Sequence, residues 1–127
     1  MIGAVAILAA VDDFLFRSKI RATAKHVDVE IAFAQTPDEI LAQARAMQPT
    51  LVIIDLNSPK SDPIATIAAL KADAGTSALR TIGFASHVHT DLIAAARKAG
   101  ADEVLPRSAF AARLAEILTA GAAKPAP

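Results

Sequence analysis

Residues 51–63, LVIIDLNSPKSDP, decide the fold. Leu51-Val52-Ile53-Ile54 is an unbroken apolar run, with Pro49 before it and Asn57-Ser58-Pro59 after it. A short run without polar alternation, closed by turn residues, reads as a strand covered on both faces, as in a parallel sheet. Asp55 ends that strand. In open parallel α/β sheets, ligands bind at the carboxyl ends of the strands. Asp55 therefore stands where chemistry is expected.

Working outward, Val5–Val11 is a second apolar run that also ends in acids, Asp12 and Asp13. Phe14–His26 reads as a helix with Phe16, Ile20, Ala24 and Val27 on one face. Arg17, Arg21 and Lys25 line another face, which reads as solvated. Val29–Ala34 is a short strand. Thr36-Pro37-Asp38-Glu39 opens a helix with a capping box and a first-turn proline. Its inner stripe is Ile40, Ala44 and Met47. After Asp55, Asp62-Pro63 opens a third helix with Ile64, Ile67, Ala68 and Leu70 inward and Gly75 at C′. Thr81–Ala85 is a fourth strand. Thr90 is expected to cap a helix over Asp91–Ala99 that stops at Gly100. Glu103–Leu105 is a fifth strand, and Ser108 is expected to cap a last helix striped by Phe110, Leu114, Ile117 and Leu118.

Strand and helix thus alternate five times with short connections, which predicts an α/β fold with helices on both faces of a parallel sheet. The expected closure is a doubly wound, flavodoxin-like five-stranded sheet of order 2-1-3-4-5. Its switch point lies between the first and third strands, so Asp12 and Asp13 come beside Asp55. Residues 1–120 form one domain in this reading, and 121–127 a disordered tail.

Bulk properties agree. The chain of 127 residues is 54 % hydrophobic, with 31 alanines, which suits helices packed closely on a sheet. Thirteen basic residues balance thirteen acidic ones, so no global field draws in nucleic acid or anionic lipid. Five phenylalanines are the only aromatics, which gives no sign of a base-stacking surface. Without cysteine there is neither a disulfide nor a thiolate nucleophile. The start carries no basic n-region of a signal peptide and no apolar run long enough to span a bilayer. A cytoplasmic protein acting away from membrane and nucleic acid is expected.

Three carboxylates at one sheet edge repel each other unless a positive charge sits among them. Magnesium fits such a place, because it accepts one or two carboxylates, a carbonyl and waters. The Asn57 backbone carbonyl is the nearest candidate. With a cation present, the Asp55 carboxylate could attack a phosphoryl group and hold it as an acyl phosphate. The plainer reading, solvated acids at strand ends, stays open on spacing alone.

The acid pair Asp12-Asp13, the D-x-N-x-P-x-x-D run from Asp55 to Asp62, Gly100-Ala101-Asp102 and Arg107 after the fifth strand give the chain a resemblance to receiver domains of bacterial two-component response regulators, over roughly residues 3–120. The resemblance implies that Asp55 is the phosphoacceptor, that Asp12 and Asp13 help bind Mg2+, and that a histidine kinase or phosphotransfer protein is the donor. It implies a downstream protein partner on the face of the fourth helix, fifth strand and last helix, residues 91–119. It also implies no enzyme activity beyond self-phosphorylation from a phosphodonor and slow self-dephosphorylation.

The departures from the family matter equally. Arg107 stands where receivers carry lysine, and Ser108 where proline usually follows. Arginine is planar and forked rather than a compact charge. It can contact an acyl phosphate or lie across the acids as a permanent counter-ion. Ala85 falls on the strand-four hydroxyl position, with a hydroxyl only one residue later on Ser86. Val104 replaces the reporting aromatic and Pro63 a glycine. Aligning Arg17 with the family's first-helix arginine pairs Val11 and Asp12 with the two metal-binding acids and leaves Asp13 one place late. These departures describe an atypical receiver, expected to stand alone, or a pseudo-receiver that works as an interaction module without phosphate. A small phosphohydrolase lacks a general acid, and His87 with His89 lacks a third ligand for a transition metal.

Overall fold

The computed structural model describes residues 6–86 and 90–122. Five strands, β1 (Ile7–Ala10), β2 (Ile31–Phe33), β3 (Leu51–Asp55), β4 (Thr81–Ala85) and β5 (Glu103–Pro106), form one sheet of order β2-β1-β3-β4-β5. Every pairing is parallel. The helices are α1 (Phe14–His26), α2 (Pro37–Met47), α3 (Pro63–Ala72), α4 (Thr90–Ala99), α5 (Arg107–Ala112) and α6 (Leu114–Ala122). The flavodoxin-like order expected from the alternation is the order found.

Two apolar layers cover the sheet. Ile7, Ala9, Leu51 and Ile53 point to a layer with Ile20 of α1 and Leu118 of α6. Leu8, Ala10, Val52 and Ile54 point the other way, to Ile40 of α2 and Ile67 of α3. Alternate side chains enter opposite layers, so β1 and β3 are buried throughout. Each such Leu or Ile is worth about 1.5–3 kcal/mol of burial. This explains why these strands read as unbroken apolar runs.

Local signals placed most elements. Asp13 caps α1, accepting the Phe16 amide at 3.0 Å. Thr36 and Glu39 form the capping box of α2. Gly100, at φ 121°, ends α4, and a Cβ there would lie 2.6 Å from Lys71 Cγ.

Several expected boundaries move. β2 keeps only three residues, and β1 starts at Ile7; Val5 lies outside the described residues. Ala68 of α3 is exposed, whereas Thr66 is buried and donates its hydroxyl to the Ser61 carbonyl. Asp62 precedes α3 in the left-handed region at φ 43° and makes no side-chain cap bond. Its neighbour Pro63 disfavours the right-handed helical conformation at Asp62. Gly75 is not the C′ residue of α3, because the chain turns extended at Asp73. Ser108 is the second residue of α5 rather than its cap, since Pro106 takes that place. The expected last helix is two helices, broken at Arg113, whose amide returns to the Ala109 and Ala111 carbonyls. α6 continues to Ala122 with Gly121 buried against Leu51, so the helix takes in the first two residues assigned to the tail. Residues 123–127 and 87–89, with His87 and His89 among them, lie outside the described residues. Among the described residues no helix is long and apolar enough to cross a membrane.

Candidate functional site

The pairing Ala10↔Ile54 puts the ends of β1 and β3 side by side at one sheet edge. Asp12, Asp13 and Asp55 therefore meet on one rim, as the acid-ended runs suggested. Asp55 closes β3, is only 3 % exposed, and its Oδ1 accepts the Asn57 amide at 2.9 Å. Burial pushes its carboxyl above the ordinary value; Asp13 and Asp12 add to the rise, while the Asn57 amide and Arg107 oppose it. The Asn57 side chain reaches across to β4, with Oδ1 accepting the Ser86 amide at 2.9 Å. This ties the acceptor turn to the end of the neighbouring strand.

Asp13 is held differently. Its Oδ1 is the α1 cap, and its Oδ2 lies 3.3 Å from Arg107 Nη2. The Phe16 amide, and after it the Arg107 guanidinium, hold its carboxyl below the ordinary value against the opposing effect of burial. Asp12 faces Lys60, Nζ to Oδ1 3.6 Å.

Arg107 opens α5 directly after Pro106 and turns into the rim. Its guanidinium lies 4.6 Å from the Phe16 ring centre and 5.7 Å from that of Phe84. Phe84 stacks on Phe110 at 4.4 Å, so the bed under the arginine continues into the core. Cation–π contacts at partly exposed sites contribute about 0.5–1 kcal/mol each, which fixes this side chain better than one surface ion pair would. A cleft of about 350 Å³ beside it is lined by Phe16, Ser86, Arg107, Ser108 and Ala111. A larger one, about 420 Å³, lies by Thr50, Arg80 and Gly121 and is lined by no acid.

The three acids expected to help hold a metal are engaged differently at this rim. Among the described residues no three acidic or histidine side chains come together to share an ion. Asp13 is engaged by the Phe16 amide of α1 and by Arg107. Asp12 and Asp55, with the Asn57 backbone carbonyl two residues on, are oxygen donors of the kind that suits magnesium. The cap role of Asp13 matches the alignment in which it falls one place late. Ala85 is fully buried at the end of β4, so the hydroxyl at this rim is that of Ser86, half-buried one residue on. Val104 is buried in the layer under α3 and α4.

Sequence reasoning missed Lys60 and the phenylalanine bed of Arg107. Lys60 stands five residues after Asp55, inside the run that defined the site, and its charge was the available signal. Phe16 was assigned to the core stripe, and it serves both the core and the arginine.

The profile of the response regulator receiver domain matches residues 7–119. Solved structures agree on the fold. A response regulator from Hahella chejuensis superposes with a TM-score of 0.80 at 19 % identity, covering 91 % of this chain and 92 % of its own. The chemotaxis response regulator CheY4 of Vibrio cholerae gives 0.77 at 18 % identity, covering 91 % and 96 %. The Mn2+-bound form of response regulator Rcp1 gives 0.72 at 17 % identity, covering 87 % and 89 %. No curated protein matches the chain.

Proposed function

The chain belongs to the response regulator receiver domain family, and from that premise we propose that it is a phosphorelay receiver that accepts a phosphoryl group on Asp55. The observation that carries this reading is the placement of Asp55: it ends the central strand, is almost fully shielded, and is oriented by the Asn57 amide. A phosphohistidine of a kinase or phosphotransfer protein is the fitting donor. An Asp55 carboxylate oxygen forms the new O–P bond as the donor's N–P bond breaks. The leaving imidazole keeps the electron pair and takes up a proton. Asp12, Asp55 and the Asn57 carbonyl would hold Mg2+, which neutralises charge on the transferring group. Arg107 supplies a second positive charge from the α5 side.

The protein is not a turnover enzyme in this reading, and it acts in the cytoplasm through protein contacts. The face of α4, β5 and the helix pair α5 and α6, residues 91–119, is the proposed docking face for the downstream partner; α4 and α5 both pack on β5. Incubation with a small phosphodonor and Mg2+ should add the mass of one phosphoryl group, and Asp55→Asn should abolish the gain. An unchanged mass under all conditions rejects the assignment.

One observation favours a second reading. Arg107 is paired with Asp13 and laid on Phe16, and Ala85 offers no hydroxyl to follow a phosphoryl group. A pseudo-receiver held in one state by its own arginine would bind its partner equally well with Asp55→Ala. Binding lost in that variant rules this reading out.

A further inference from the structure

Lys60 enters the rim from the turn between β3 and α3 and points its ammonium at Asp12, Nζ to Oδ1 3.6 Å. Arg107 does the same for Asp13 from the start of α5, Nη2 to Oδ2 3.3 Å. Each acid of the β1–α1 turn therefore has a cation supplied by the chain itself, on the rim that Asp55 shares. Asp12 is the acid left for a divalent ion once Asp13 caps α1, so the lysine stands on the carboxylate such an ion would need. Its side chain is 58 % exposed and that of Asp12 is 29 % exposed, so the pair is weak and the ammonium can swing into solvent.

From this geometry we infer that Lys60 is a tethered competitor of the divalent cation at Asp12, setting how much magnesium the site needs before it fills. This rests on the proposed reading only in taking Asp12 and Asp55 as the cation's ligands; it requires no phosphoryl transfer. A divalent ion must displace the ammonium and then tolerate it nearby. Both effects weaken binding, and both vanish when the charge is removed. Lysine is suited to this role because its point charge sits on a flexible four-carbon stem, whereas Arg107 is fixed on aromatic rings.

Calorimetric titration of the whole chain with MgCl2, and separately MnCl2, at constant ionic strength tests the inference. Lys60→Gln should bind roughly three- to tenfold more tightly than the parent, and Lys60→Arg should stay close to it. Lys25→Gln removes the same charge at the far end of α1 and should leave affinity unchanged. Thermal melts without metal check that each variant is folded. Equal affinity in the parent and Lys60→Gln overturns the inference while leaving phosphorylation of Asp55 intact. An equal gain in Lys25→Gln overturns it in favour of a general charge effect. Absence of heat in every variant overturns it together with the metal site. A tightened Lys60→Gln that gains no phosphoryl mass would leave this inference standing and reject the phosphoacceptor.

Discussion

A carboxylate buried as deeply as Asp55 works against the fold that surrounds it. Its pKa is raised chiefly by burial, so the native state holds the proton to higher pH than the unfolded chain does. For an acid shifted in this direction, stability is greatest below the unfolded value and is lost as pH rises through the interval up to the folded value. Asp55→Asn should therefore raise the melting temperature by a few degrees at pH 7, and the gain should shrink to nothing toward pH 3. Asparagine can still accept the Asn57 amide, so that bond is kept. Melting curves of both proteins across that range check the sign; a variant less stable than the parent at pH 7 would contradict it. The rim itself was legible at this scale because strand ends carry fixed directions. Acids that terminate neighbouring apolar runs of a parallel sheet must meet. Arg107 was legible as a counter-ion to the acids, but not that it would choose Asp13, and Lys60 as the partner of Asp12 was not legible. Lys60 lies in a turn and Arg107 at a helix start, where spacing does not tell which way a long side chain leans.

At the scale of elements, capping chemistry carried the reading. The bounds of α1 agreed with the expectation because Asp13 ends the preceding run and caps the helix, and Val27, the last residue of the stripe, is its C-cap. α2 agreed because its capping box is written in four consecutive residues. Expectation failed where tertiary contact overrode a local signal. Gly75 resembled a helix stop, but Asp73 already ends α3, with its carbonyl accepting the Thr76 and Ser77 amides. The break at Arg113 has no glycine or proline to announce it. Gly121 resembled the start of a tail, yet it is the point at which α6 touches β3. A Cβ there would lie 2.5 Å from Leu51 Cδ2. Because Leu51 is wholly buried, it cannot yield cheaply. Gly121→Ala should cost about 1–3 kcal/mol, the range for overpacking a filled core. Chemical denaturation of the variant measures it, and a stability equal to the parent's would mean that α6 can slide.

For the whole molecule, topology was the most legible property. Five strand–helix alternations with short links leave few ways to close a parallel sheet, and the observed order is the one expected. The site inherits its place from that topology, because β1 and β3 are neighbours only at the switch point. A cation held by Asp12 and Asp55 would bridge two turns 43 positions apart in the chain, so it should stabilise the entire fold by mass action. At a hundredfold excess over Kd the gain would be about 2.7 kcal/mol. Melting temperature should climb with Mg2+ in the parent and stay flat in Asp12→Asn; a flat response in both would remove the ion from the account.

The two outermost strands of the sheet are both stunted. β2 spans three residues, and β5 spans four and finishes on Pro106, whose ring nitrogen has no hydrogen to offer a newcomer. A stray chain searching for an open flank to extend finds little to grip on either side. A protein so rich in alanine and aliphatic side chains, with no surplus charge to keep its copies apart, thereby gains some resistance to growing into fibres.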